Sequence, residues 1–118
     1  MPYKSRLDVE TKALDILGML TVGQPPETED LLKVDSNWEP LLDLLAGRDI
    51  VYVGDLDNVP PAMFLPLATC LANASKMAVG VNAEEYPRLA AEAVEAEAQL
   101  RQIMHGRPTY QPFRMESF

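Results

Sequence analysis

Cysteine, histidine and tryptophan each occur once in 118 residues. With Cys70 alone, no intrachain disulfide can form. Its neighbours Leu67, Ala68 and Leu71 mark it as a small buried hydrophobe rather than a reactive thiol. No Cys/His cluster offers zinc ligands. His105 falls in the last turn of a helical stretch, where an imidazolium complements the helix dipole, so capping fits it better than general-base chemistry. The six glycines are scattered and build no phosphate-cradling loop. No serine sits in a nucleophile elbow. The acidic loop Gly54 to Val59 (GDLDNV) lacks the spacing and closing glutamate of a calcium-binding EF-hand. Carboxylate pairs are abundant, but none is singled out for glycoside hydrolysis. The chain is expected to be no enzyme and to carry neither cofactor nor metal.

Long apolar runs are missing too. Stretches such as Ile50 to Val53 and Ala62 to Leu65 fall far short of the roughly 18 residues a membrane helix needs. The opening MPYKSRLDVE has no apolar h-region and is not expected to be a secretory signal. Basic residues are scarce: 10 Lys and Arg against 18 Asp and Glu, for a net charge of −8. The imbalance is local. Residues 1–12 carry +1, residues 13–100 carry −11, and residues 101–118 carry +2. An acidic body cannot grip nucleic-acid phosphates, which takes clustered Lys and Arg. It is compatible with a surface past which DNA slides without sticking.

What is present is helical periodicity. Hydrophobic residues make up 47% of the chain, enough for one domain with a modest core. A first helix is expected from about Leu7 to Leu20, with Ser5 as N-cap and Asp8 and Glu10 in its first turns. Gly23 and Pro25-Pro26 mark a loop. Thr28 opens a second helical run to Ala46, interrupted at Pro40. Ser36 with Glu39 reads as a capping box, so the run is either one kinked helix or two short ones meeting near Ser36. Asp49 to Val53 (DIVYV) is the one strand-like run. Its partner would be a hairpin mate, a C-terminal arm or a neighbouring subunit. Pro60-Pro61 starts a third helix, with Pro66 kinking it or marking its true start, and Gly80 caps it. Its apolar side carries Met63, Phe64, Leu67, Leu71, Met77 and Val79. Asn82 with Glu85 reads as another capping box, opening the longest helix, to about His105. A thin apolar stripe that includes Leu89, Ala90 and Leu100 lies along this helix, opposite Glu84, Glu85, Glu92, Glu95 and Glu97. Such an acidic face is ordinarily a solvated one; the functional alternative is a face turned toward a pore. The expected fold is all-α: a bundle of about four helices with one short β element and an extended C-terminal arm.

That arm, GRPTYQPFRMESF, begins where Gly106 and Pro108 stop the helix, and Pro112 keeps it extended. The expected division is therefore a helical domain over residues 1–105 and an arm over residues 106–118. Tyr110, Phe113, Met115 and Phe118 make the arm too apolar for a solvated tail. It is read as ordering on another protein; the alternative is a tail folded back on its own domain.

The order of these features resembles the head-to-tail adaptor (connector, or head-completion) proteins of tailed bacteriophages. Four stretches carry the likeness: KALDILGML with the loop VGQPPETED, then EPLLDLLAGRDIVYV, then DLDNVPPAMFLPLATCLA, and finally the acidic Ala-rich helix ending in RPTYQPFRMESF. The resemblance implies a structural virion protein, made in the host cytoplasm and placed in the neck. About a dozen copies would form a ring beneath the portal protein, extend the DNA channel and present a surface to the next tail or neck protein. It implies a docking arm whose anchors are Tyr110, Pro112, Phe113, Met115 and Phe118, with Arg107 and Arg114 pairing with portal carboxylates. Passing double-stranded DNA would meet a ring of about −96 charges in total, with Asp55, Asp57, Glu92 and Glu95 as candidate channel-facing acids. Two other classes compete: a small intracellular helical interaction or regulatory module, and a glycan hydrolase using acidic residues.

Overall fold

The computed structural model describes residues 3–50 and 55–105, with only the backbone of His105 described. These residues are mostly helical. Helix α1 spans Arg6–Ile16, α2 Thr28–Asp35, α3 Trp38–Ala46, α4 Pro61–Ser75 and α5 Tyr86–His105, with a 3-10 turn at Ala83–Glu85 leading into α5.

Helix α1 starts as expected. Ser5 Oγ accepts from the Asp8 amide at 3.1 Å, and the Asp8 carboxylate accepts from the Ser5 amide at 2.9 Å, a reciprocal capping box. That backbone hydrogen bond holds the Asp8 carboxyl below its ordinary pKa. The helix stops at Ile16 rather than near Leu20, because Gly18 turns left-handed at φ 74°. Met19 N–H then bonds the Leu14 carbonyl and Gly18 N–H the Asp15 carbonyl, the pair of bonds that closes a Schellman end. Gly80, at φ 79°, does the same further on. The regular part of α4 ends at Ser75, and the turns beyond it close with Val81 N–H on Lys76 and Gly80 N–H on Met77.

The 28–46 run is two helices. The expected Ser36–Glu39 capping box does not form. Ser36 Oγ instead donates back to the Lys33 carbonyl at 2.7 Å, and Asn37 Nδ2 donates to the same oxygen at 2.8 Å. Both side chains therefore close α2 rather than open α3, and Glu39 is exposed. Pro60-Pro61 opens α4 as expected, and α4 runs unbroken through Pro66. The Asn82–Glu85 box is also not reciprocal. Asn82 Oδ1 accepts from the Glu84 amide at 3.0 Å, while Glu85 is taken by Arg88 at 2.7 Å.

Helix α4 is the central element, packed against both α1 and α5. Leu67, Ala68, Leu71 and Ala72 are fully buried along it, facing Val9, Ala13 and Leu14 of α1 and Leu89, Ala96 and Leu100 of α5 in one core. Small residues at Ala68 and Ala72 let the helix backbones approach closely. Some positions expected on apolar faces lie outside: Leu7 is 55% exposed on α1, Met77 is 74% exposed, because it falls in the closing turns after Ser75, and Ala90 is exposed on α5. Lys4 and Val59 form an antiparallel bridge, with amide–carbonyl bonds of 2.9 and 2.7 Å in the two directions. The expected Asp49–Val53 strand lies outside the described residues beyond Ile50, whose side chain is buried.

Ser75 Oγ is fully buried and has no hydrogen-bond partner. A buried hydroxyl without a partner costs about 1–3 kcal/mol. Ser75→Ala is therefore expected to raise stability, by about 1 kcal/mol, in a urea unfolding curve.

Candidate functional site

The expected site residues fall into three groups. The arm residues Arg107, Tyr110, Pro112, Phe113, Arg114, Met115 and Phe118 lie outside the described residues. Asp55 and Asp57 sit in the exposed turn before α4. Asp55 Oδ1 accepts from the Asp57 amide at 2.9 Å, and its other oxygen accepts from Asn58 Nδ2 at 3.4 Å. Asp55 thus organises the turn that brings Val59 to Lys4. Glu92 and Glu95 lie on α5, where they line an open groove of about 280 Å³ with Leu65, Pro66, Thr69, Ala96 and Gln99. The groove brings Glu92 and Glu95 together; neither Asp55 nor Asp57 lines it.

The acidic face of α5 is not uniform. Arg88 holds Glu85 at 2.7 Å and Glu92 at 3.2 Å, both at helical spacing. Glu97 leaves the face altogether. Its side chain is largely covered, 12% exposed, and Arg48 at the end of α3 grips both its oxygens at 2.7 and 2.8 Å. Arg101 adds a 3.3 Å bond to the Arg48 carbonyl. Together these pin the α3 exit turn to α5. Glu84 and Glu95 remain exposed.

The described bases are likewise engaged inside the chain. Arg6 meets Glu10 and Asp35, Lys12 meets Asp15, and Lys33 meets Glu29. Lys4 lies 5.2 Å from the Phe64 ring, and Lys76 lies 4.9 Å from the Tyr86 ring. Cys70 is buried, with Sγ 4.0 Å from the Ala93 carbonyl, and burial pushes its thiol up to about 12, so it is no nucleophile at neutral pH.

Sequence reasoning missed one cluster. Glu10, expected in the first turns of α1 where an acid suits the helix dipole, is only 5% exposed. Trp38 Nε1 donates to its Oε2 at 2.8 Å, and Arg6 Nε reaches the same oxygen at 3.4 Å while bonding Asp35 Oδ1 at 2.8 Å. One Arg6 nitrogen thus meets both the Glu10 and the Asp35 carboxyl. The available signal was spacing: Glu10 stands three and four residues before Ala13 and Leu14 and therefore shares their inward face.

Among the described residues no group of three or more His, Cys, Asp or Glu is placed to hold a metal ion, and no helix is long and apolar enough to cross a membrane. No protein-family model, curated protein or solved structure matches this chain.

Proposed function

We propose that this chain is a head-to-tail adaptor of a tailed bacteriophage. About twelve copies form a ring beneath the portal, each a helical bundle with a short β element and a C-terminal docking arm. The ring extends the DNA channel and offers the next neck or tail protein its attachment surface, with no catalysis. The observation that carries this reading is the disposition of charge. The described bases are committed to partners within the chain, while Glu84 in the turn before α5, Glu95 of α5 and Asp57 before α4 stay at the surface. Such a surface repels phosphate and lets duplex DNA pass without adhering. Exposed Leu32, Leu44, Leu65 and Val94 offer neighbouring subunits apolar contact area. In this reading Tyr110, Phe113, Met115 and Phe118 seat in the portal, and Arg107 and Arg114 meet its carboxylates.

Native mass spectrometry of the full chain, alone and with portal protein, tests the proposal. The expected result is a monomer alone and a complex of about twelve copies on the portal. Deleting Pro108 to Phe118 is expected to leave a folded helical protein whose portal affinity falls at least a hundredfold, about 3 kcal/mol. A small fixed oligomer that ignores portal would replace this reading with the intracellular interaction module. Unfolding of the truncated chain would show that the tail belongs to the core.

A further inference from the structure

We propose that the junction of α1, α2 and α3 is a proton-operated latch, in which a proton on the buried Glu10 carboxyl, set beside Trp38 and the Arg6 that also holds Asp35, keeps α2 and α3 docked on α1. The inference rests on charge and placement and is independent of the adaptor reading.

Three helices send one polar group each into this junction besides Glu10 itself: Arg6 from α1, Asp35 from α2 and Trp38 from α3. The acids Glu39 and Asp43 of α3 are exposed, and α4, which covers α1, carries no charged residue. With one proton between them, the two carboxyls carry a single negative charge, which the Arg6 guanidinium balances. Without it they carry two negative charges against one positive. The extra charge would fall on Glu10, which water barely reaches, and not on Asp35, whose side chain is 45% exposed. Among the described residues, one indole N–H and one long guanidinium contact are then the donors on it.

Burial first, and then the Asp35 carboxylate, push the Glu10 carboxyl up to about 7, while Asp35, accepting from Glu10 and Arg6, is held below its ordinary value. A raised carboxyl binds its proton more tightly in the folded chain than in the unfolded one. The stabilisation is complete below the ordinary glutamate range and is lost as pH rises through about 7. The latch is tight in mild acid and loosens on the alkaline side of neutrality, where α2 opens more often while Trp38 and Glu10 stay together in the docked form.

Trp38 is the chain's single tryptophan and touches Glu10 directly, so its emission reports the latch. The full-length protein is titrated from about pH 5 to about pH 9, following tryptophan fluorescence and the amide exchange of Thr28–Asp35 corrected for its intrinsic pH dependence. The expected result is a single red shift with a midpoint near 7, accompanied by at least about tenfold faster corrected exchange in α2. Glu10→Gln places a carbonyl acceptor and an NH₂ donor where the protonated acid has them, and is expected to abolish the transition while keeping the low-pH emission and exchange. Asp35→Asn is expected to move the midpoint to lower pH. His105→Gln removes the only histidine from the same window and is expected to change nothing. Flat emission in the parent protein, a transition that survives in Glu10→Gln, or failure of Glu10→Gln to fold at low pH would each overturn the proposal. So would a red shift with no change in α2 exchange, which would reduce the effect to local quenching.

Discussion

Replacing Leu67 with alanine is expected to lower stability by about 3–4 kcal/mol and the melting temperature by about 10–20 °C. Leu67 is fully buried at the middle of α4, the helix against which both α1 and α5 pack. Removing its branched end sacrifices the transfer free energy of the lost carbons and leaves a hole. How much of the hole collapses decides where in the range the cost falls. Here Ala68 and Ala72 are themselves fully buried and α4 is packed by both α1 and α5, so the site collapses only in part. The cost therefore belongs near the middle of the usual range. A domain of this size is stable by only about 5–15 kcal/mol, so the loss would be conspicuous in thermal and urea unfolding followed by circular dichroism. Leu65 supplies the control on the same helix. It is 52% exposed at the rim of the α4–α5 groove, and Leu65→Ala is expected to stay within about 0.5 kcal/mol of the parent. Equal losses at the two positions would mean that α4 is not the centre of the core.

Much of the helical framework was legible because its signals are local. Ser5 with Asp8, Pro60 with Pro61, and the closing Gly80 each act through bonds within a few residues, and each does what its residue type dictates. Ser36 shows where local reasoning fails. Its hydroxyl has two backbone choices of similar energy: a following amide, as an N-cap, or the preceding Lys33 carbonyl. The sequence pattern is the same for both, and the packing of α2 against α1 and α4 decides. Leu17 and Leu20 kept the apolar rhythm of α1 going past Gly18, so periodicity alone placed the helix end too late; a buried side chain need not be a helical one.

The candidate site divides in the same way. That α5 is acidic is plain from composition, but which acids point outward is not. Glu97 looks no different in sequence from Glu95, yet it turns inward to Arg48, a residue 49 positions away. Long-range ion pairs of this kind follow from helix packing and leave no periodic trace. Glu10 is the sharper case. Charged residues are buried only when paired, and its partners come from three separate turns of chain, so an inward-facing position was visible while its partners were not.

Trp38→Phe is expected to cost about 2 kcal/mol near pH 6 and about 2.5–4 kcal/mol near pH 8, and this pH dependence separates the indole's two roles. The ring fills the core between α1 and α3, where only 2% of it is exposed; exchanging indole for phenyl loses about 1 kcal/mol of packing at any pH. The N–H is different. It donates to Glu10 Oε2 at 2.8 Å, and the worth of that bond depends on whether the acceptor is charged. On the acid side of Glu10's titration it is a neutral hydrogen bond worth about 1 kcal/mol; on the alkaline side it is the best donor on a buried carboxylate, worth about 1.5–3 kcal/mol. Removing it also pushes the Glu10 pKa higher still, because Trp38 is one of the groups that lower it. The folded variant would hold its proton to higher pH than the parent, and its stability would go on falling with pH beyond the point where the parent levels off. Urea unfolding of parent, Trp38→Phe, Glu10→Gln and the double variant at both pH values measures the coupling directly. A coupling energy of about 1 kcal/mol or more near pH 8 that shrinks near pH 6 is the expected outcome. If the cost of Trp38→Phe is the same at both pH values, the indole acts through packing alone and Glu10 keeps its proton throughout.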